Sequence, residues 1–323
     1  MTAVEISVVI PSHDRPTRLR WLLNALEEQT LERGRWEVLV AHDSAGPETE
    51  ALLREHPLAD VGVLRHLSFP AGSAGPATKR NAGWRAAAAP LIAFTDDDCR
   101  PEPGWLAALL AAAHAAPGAM VQGATRPDPR EELIWAAPHV RSIHVTPPDW
   151  FAQTCNILYP IALLEALGGL GESFPGAAGE DTDLALRARA AGARLVAAPG
   201  AVVYHAVESF GLRGMVRLNW RWRHLAHLVH LRPEIREEFT LHVFWRRQHL
   251  ELLLAAGGLA GARHHPLLAV LAVPYLHRAL NARGPRKSAR LACAVELPGR
   301  VVVDAAELGT MLCGSVTHRA LVL

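Results

Sequence analysis

Short runs of apolar, β-branched residues alternate with segments of helical periodicity through the first part of the chain. Ile6–Ile10 reads as a strand, and Thr17–Gln29 as an amphipathic helix with Leu19, Leu22, Leu23 and Leu26 on one face. Trp36–Ala41, Val61–His66 and Leu91–Thr95 read as further strands, separated by helices over Glu48–Arg54 and Ala77–Ala89. This alternation predicts an α/β fold around a mostly parallel central sheet. Ligands of such sheets bind beyond the carboxyl ends of the strands. Asp43 and Asp96 both fall there.

A second block runs from Trp105 to about Val207. It holds a helix (Trp105–Ala115), a strand (Met120–Gly123), a Pro-rich crossing (Pro127–Pro148) and a helix (Leu163–Leu167). An acid-opened helix over Glu180–Ala191 and strands at Leu195–Ala197 and Ala201–His205 follow. The Gly-rich loop Gly168–Gly179 is placed to close over a ligand. After about Ser209, Trp and Arg interleave and His becomes frequent. Two apolar stretches, Leu252–Ala262 and Pro266–Leu276, flank Arg263-His264-His265. Each is shorter than the roughly 20 residues that span a bilayer. They read as a helical hairpin, either packed on the rest of the protein or resting on a membrane surface. The expected organisation is therefore residues 1–208 as one domain, with halves near 1–100 and 101–208, and 209–323 as a helical C-terminal extension.

Composition narrows the classes. Half of the 323 residues are hydrophobic, which supplies a sizeable core and excludes global disorder. A net charge of +1 gives no general drive toward nucleic acid. The four cysteines have neither zinc-ligand spacing nor the density of a disulfide framework, so a reducing cytoplasm is expected. The run Ile6–Pro11 is too short for the core of a secretory signal.

The chemistry concentrates in three places. Asp96-Asp97-Asp98 closes the strand Leu91–Thr95, and three adjacent acids repel one another unless a cation neutralises them. Oxygen ligands at that position suit Mg²⁺ or Mn²⁺, which can bridge a nucleotide diphosphate. Alternation along an extended segment puts Asp96 and Asp98 on one side and Asp97 on the other. Upstream, Lys79 and Arg80 open a helix where they can meet phosphate or hold the acids, Asn81 can bond backbone across the cleft, and Gly83 permits close helix–sheet approach. Downstream, Glu180 and Asp181 open another helix. Dipole stabilisation alone accounts for acids there, but either could serve as general base toward a hydroxyl, and the sequence does not rank them. His205, at another strand end, is a structural histidine or a third metal ligand.

Together these segments resemble the family 2 glycosyltransferases of the GT-A fold. Ser7-Val8-Val9-Ile10-Pro11-Ser12-His13-Asp14-Arg15 is similar to the family's opening VVIPTYNR, and Lys79-Arg80-Asn81-Ala82-Gly83 to its (A/K)RNxG segment. Phe94–Asp98 looks like its DxD motif, Gly168–Phe174 like its GGFDExF loop, Gly179–Leu184 like its GEDxDL, and Pro199–His205 like the strand ending in its metal-binding His. The resemblance covers roughly residues 5–207. It implies a metal-dependent, inverting transfer of a sugar from a nucleotide-diphosphate donor to an acceptor hydroxyl. It would make Asp96 and Asp98, with His205, the holders of metal and diphosphate. Asp181 would be the base and Glu180 its neighbour toward the acceptor. Pro11, Ser12, Asp14 and Asp43 would line the nucleotide pocket, with Lys79, Arg80, Asn81 and Asp97 also on the donor side. Asn156 and Trp150 would lie toward the acceptor. The resemblance further implies a lipid-linked or cell-surface glycan precursor as acceptor, or a soluble natural product or peptide, and a cytoplasmic enzyme at the inner face of the cell membrane.

Departures qualify this. Where the family often carries Asp-Asp-Gly-Ser, the chain reads His42-Asp43-Ser44-Ala45, which leaves uridine, guanosine and thymidine donors open. The processive members' Q-x-x-R-W is half present, as Arg221-Trp222 behind Leu218, so a single addition fits better than a polymerising enzyme. A sugar nucleotidyltransferase would need a Gly-rich phosphate loop where Pro11–Arg15 stands. A non-catalytic sugar- or lipid-binding module would not need Asp96, Asp98 and Asp181 together.

Overall fold

β1 (Ile6–Ser12) and β2 (Trp36–His42) are buried along their whole length, and apolar runs without alternation are what strands covered on both faces require. β3 (Leu64–Ser68), β4 (Leu91–Thr95), β5 (Cys99–Pro101) and β6 (Met120–Pro127) follow. Next come β7 (Val140–Arg141), β8 (Asn156–Pro160), β9 (Leu195–His205) and β10 (Glu208–Ser209). The computed structural model describes residues 3–174, 176–284 and 286–323. They fall into two units: residues up to 135 with 141–208, and 136–140 with 209–323.

The first unit is built on an eight-stranded sheet of order β3-β2-β1-β4-β8-β6-β9-β5. β3, β2, β1 and β4 run parallel, β8 runs against both β4 and β6, and β6 and β9 are again parallel. Val8 and Ile10 face a core made with the helices Pro16–Glu27 and Trp105–Ala115, through Leu19, Leu22, Leu23, Leu106 and Leu109. Val9, between them, faces a second core with Trp84, Phe94, Tyr159 and Leu184. Period-two alternation thus feeds two hydrophobic layers. The chain moves from β1 to β2 and β3 on one side, then returns to β4 on the other. Connections diverge between β1 and β4, and the crevice at their carboxyl ends is where such sheets take ligands.

The helix Pro76–Arg85 packs onto β1 at Gly83. A Cβ there would stand 2.4 Å from Val9 Cγ1, well inside contact distance. Gly83→Ala is therefore expected to destabilise the protein by about 1–3 kcal/mol through overpacking, read as a lower denaturant midpoint with an unchanged slope.

Several expected boundaries move. The third strand begins at Leu64 rather than Val61, and the two strands placed at Leu195–Ala197 and Ala201–His205 are one strand, β9. A register shift at Gly123/Ala124 on β6 absorbs the irregularity. β5 and β8 were not expected at all. The loop expected over Gly168–Gly179 includes Pro175, which lies outside the described residues.

The second unit contains the expected hairpin, as helix Arg247–Gly261, a 3₁₀ stretch Pro266–Ala272 and helix Val273–Leu280. It also contains the long helix Lys287–His318. Leu253, Leu259, Leu267 and Val270 of the hairpin are exposed. Among the described residues, no helix is long and apolar enough to cross a membrane.

Candidate active site

The acidic triplet does not continue β4 in extended form. Cys99 N–H donates to Asp96 O at 3.0 Å, closing a tight turn. The turn leaves Asp97 and Asp98 together at Arg15 and sends Asp96 elsewhere, and this corrects the alternation argument. Asp97 does not point away: it is buried under β1, accepting from Ser12 Oγ at 2.8 Å and from His13 N–H at 3.3 Å. Asp98 meets Arg15 at 2.6 Å and stands 3.5 Å from His205 Nε2. Asp96 turns the other way, to Arg80 at 2.6 Å. Burial and the neighbouring Asp98 charge push Asp97 up to about 7. Burial also presses Asp98 upward, but His205 and Arg15 outweigh it and hold that carboxyl below its ordinary value.

His205 reaches this turn because β9 pairs with β5, placing His205 opposite Cys99. Its Nδ1–H donates to Ala206 O at 3.0 Å, which aims Nε2 at Asp98. Metal-binding histidines are oriented in that way. The Cys99 thiol stands in the same cluster, but burial raises its pKa and keeps it protonated. The donors that fit a hard divalent cation are thus Asp98 and His205.

On the other flank of β1, Lys79 Nζ bonds Asp43 at 2.6 Å and Ser12 O at 2.9 Å, all buried. Asp43 also accepts from His13 Nδ1 at 3.0 Å and from Ala74 N–H at 3.1 Å. Burial would raise the Asp43 pKa, but these bonds and the Lys79 charge lower it. Lys79 is therefore committed to Asp43 rather than to the acidic turn. Pro11 lies buried in β1, and exposed Asp14, at φ 48°, accepts from Ala45 N–H at 2.7 Å. Arg15, beside Asp98, was not singled out from sequence. Its place at the end of the opening motif was the available signal.

Arg80 joins the two walls of the site. Its guanidinium bonds Asp96 Oδ1 at 2.6 Å and Glu180 Oε1 at 3.0 Å. Glu180 opens the helix Glu180–Ala190, and its Oε2 is buried without a hydrogen-bond partner. Burial and the adjacent Asp181 push Glu180 up to about 7. Asp181 is half-buried and accepts from Thr182 N–H at 2.8 Å. Burial raises its pKa too, with Thr182 N–H and Arg80 opposing.

Asn81 is spent on architecture. Its Nδ2 donates to Leu170 O at 2.9 Å and Glu172 at 2.8 Å, and its Oδ1 accepts from Leu170 N–H at 2.9 Å and Trp84 at 3.0 Å. It clamps the loop after Leu167, where Gly169 sits at φ +80° and any Cβ would meet Asn81 Oδ1 at 2.4 Å. Trp150 is half-buried, with the Arg189 guanidinium 5.1 Å over its ring. The next residue, Phe151, accepts from Thr182 Oγ1 at 3.0 Å, which staples this segment beside Asp181. Asn156 differs from its acceptor-side expectation. Its Nδ2 donates to Ala124 O and Ala201 O, both at 2.9 Å, and its Oδ1 accepts from Trp105 at 2.8 Å. It holds the β6/β9 irregularity from inside the core.

The sheet, with an acidic turn and an acid-opened helix gathered at its switch point, has the GT-A fold of solved glycosyltransferases. Residues 7–162 match the sequence model of the family described as Glycosyl transferase family 2. That matched segment ends before Glu180, Asp181 and His205. A pre-mycofactocin glycosyltransferase of Mycobacterium tuberculosis is 32% identical over 62% of this chain and 42% of its own. A validoxylamine A glucosyltransferase of Streptomyces hygroscopicus is 29% identical over 58% of this chain and 52% of its own. The chain thus spans about half the length of these curated relatives. Among solved structures, a mannosyltransferase of Pyrobaculum calidifontis in complex with GDP-Man and Mn²⁺ shares the fold at a TM-score of 0.57 and 20% identity, over 99% of this chain and 88% of the other. S. aureus TarS 1-349 in complex with UDP does so at 0.52 and 17%, over 94% and 91%.

Proposed function

We propose that this glycosyltransferase moves one sugar, with inversion, from a nucleoside-diphosphate donor to an acceptor hydroxyl. The observation that carries the reading is the Asp96–Arg80–Glu180 bridge, which ties the acidic turn at the end of β4 to the helix that presents Asp181. Asp181 takes the proton from the acceptor hydroxyl, and that oxygen attacks the anomeric carbon opposite the departing diphosphate. Asp98 and His205 would hold Mn²⁺ or Mg²⁺, a Lewis acid toward the departing diphosphate. The unpartnered Oε2 of Glu180 offers the acceptor a hydrogen-bond site beside Asp181. Asp43 and Asp14, with the buried end of β1, form the nucleotide side. A thermal-shift screen of nucleotide-sugars with Mn²⁺ tests the reading, because a ligand at a hundred times its Kd stabilises the folded state by about 2.7 kcal/mol. The expected result is a shift with one donor class that requires Mn²⁺ and is lost in Asp98→Ala. An equal shift in Asp98→Ala would move the metal site elsewhere.

A lipid-linked or cell-surface glycan precursor is the first acceptor reading, supported by the exposed Leu253, Leu259, Leu267 and Val270 of the hairpin as a peripheral membrane seat at the cytoplasmic face. The relatives named for pre-mycofactocin and validoxylamine A favour a second reading, a single natural-product molecule. Co-sedimentation with anionic vesicles, compared with a Leu259→Glu/Leu267→Glu variant, separates them: binding lost in the variant supports the first.

A further inference from the structure

His42 stands where the family pattern has an acid, and its surroundings give it a separate role. It closes β2, while His66 lies on the parallel neighbour β3. In the ladder His66 pairs with Val40 and Ser68 with His42, so His42 and His66 project from the same face of the sheet. The helix Pro47–Glu55 covers that face and sets Glu50 between them. One carboxylate oxygen lies 3.2 Å from His42 Nε2, and the other lies 3.2 Å from His66 Nε2.

Ligands held about 2.0–2.2 Å from a tetrahedral metal are separated from one another by about 3.3–3.5 Å. The two imidazole–carboxylate separations are close to that value before any metal enters. Other groups face the cluster. Ser68 Oγ is 3.1 Å from His42 Nε2, Asp43 adds a distant negative charge, and Arg54 reaches Glu50 at 3.2 Å from a largely exposed position it can leave.

We propose that His42, Glu50 and His66 form a second metal site, distinct from the acidic turn, for a borderline transition ion of the Zn²⁺ class, with water completing the coordination. Two imidazoles and one carboxylate select such an ion over Mg²⁺. The site would lock the ends of β2 and β3 to the covering helix. It adjoins Asp43, whose main chain and side chain hold Gly72 and Ala74, so the ion would stiffen the loops around the nucleotide side. Behind His42, Nδ1 is buried with no acceptor. A bracing partner there is worth about ten- to a hundred-fold in affinity, so the ion is held less tightly than in a fully braced site.

The test uses chelator-treated full-length protein and compares wild type, Asp98→Ala, Glu50→Gln and His66→Asn. Zn²⁺ stoichiometry is read by elemental analysis after equilibrium dialysis, and Co²⁺ coordination by its visible absorption. Wild type and Asp98→Ala should share the same low-coordinate Co²⁺ bands and a Zn²⁺-induced rise in melting temperature. Glu50→Gln and His66→Asn should lose both, together with one equivalent of Zn²⁺. Adventitious sites, such as the exposed His264-His265 pair, contribute equally to every protein. Equal stoichiometry in all four, or loss confined to Asp98→Ala, would overturn the proposal. Donor binding with Mn²⁺ is measured separately, so this site and the transfer reaction can fail independently.

Discussion

Asp181→Asn is expected to lower kcat by about a hundred- to ten-thousand-fold, the range that a positioned general base contributes. The substitution is close to isosteric, and an amide oxygen can still accept from Thr182 N–H, the bond that fixes the Asp181 carboxylate at 2.8 Å. The fold and the helix start should therefore persist. Donor affinity should persist as well, since Asp98, His205 and Asp43 are untouched. The signature is a fall in kcat with little change in donor KM, alongside an intact nucleotide-sugar thermal shift. Glu180→Gln should act differently, raising acceptor KM with a smaller loss of kcat, because Glu180 is bonded to Arg80 through one oxygen and offers only the other. If Glu180→Gln abolishes turnover and Asp181→Asn does not, the roles are reversed. The pH dependence follows from the same environment. Burial raises both carboxyls, Glu180 to about 7. A base must be ionised to act, so activity should fall as pH drops through a value above the roughly 4 of an ordinary carboxylate.

What could be read from the chain depended on how local each signal was. β1 and β2 announce themselves because both of their faces are buried and no polar residue interrupts them for long. β5 has three residues and ends in Pro101, so no periodicity exists to detect. With β8 unread, nothing placed Asn156 inside a ladder, and a resemblance to a motif sent it to the wrong side. The acidic triplet was recognised as a site, but its geometry was extrapolated from β4, and the turn closed by Cys99 N–H to Asp96 O breaks the alternation within one residue. The partners of Lys79 and Arg80 were beyond reach for another reason. Asp43 and Glu180 lie 36 and 100 positions away along the chain, and which basic side chain takes which acid is decided only when the strands assemble. In the second unit, the helix Lys287–His318 runs through Pro298, a residue that ordinarily ends one.

Arg80→Gln is expected to have the largest effect on stability, about 3–5 kcal/mol, because it strips a buried charge from its partners. Glu180 is buried against Arg80, and Asp96 meets the same guanidinium at 2.6 Å. Without it, Glu180 has burial and Asp181 raising its pKa and no cation opposing them. The sign of the pH dependence then follows. An acid whose folded-state pKa lies above its unfolded value is penalised when ionised, so the loss is full above the folded pKa and shrinks as pH falls and Glu180 protonates. Denaturation midpoints for wild type and variant should therefore lie far apart near about pH 8 and approach one another near about pH 5. A gap independent of pH would mean that Arg80 acts by packing alone. Arg80→Lys discriminates further. It keeps the charge but not the fork that reaches two carboxylates at once. It should recover part of the stability while leaving kcat/KM depressed, since the acidic turn and the Asp181 helix would no longer be held to one another. Full recovery of kcat/KM by lysine would show that charge, rather than the bridge between the two walls, is what the site requires.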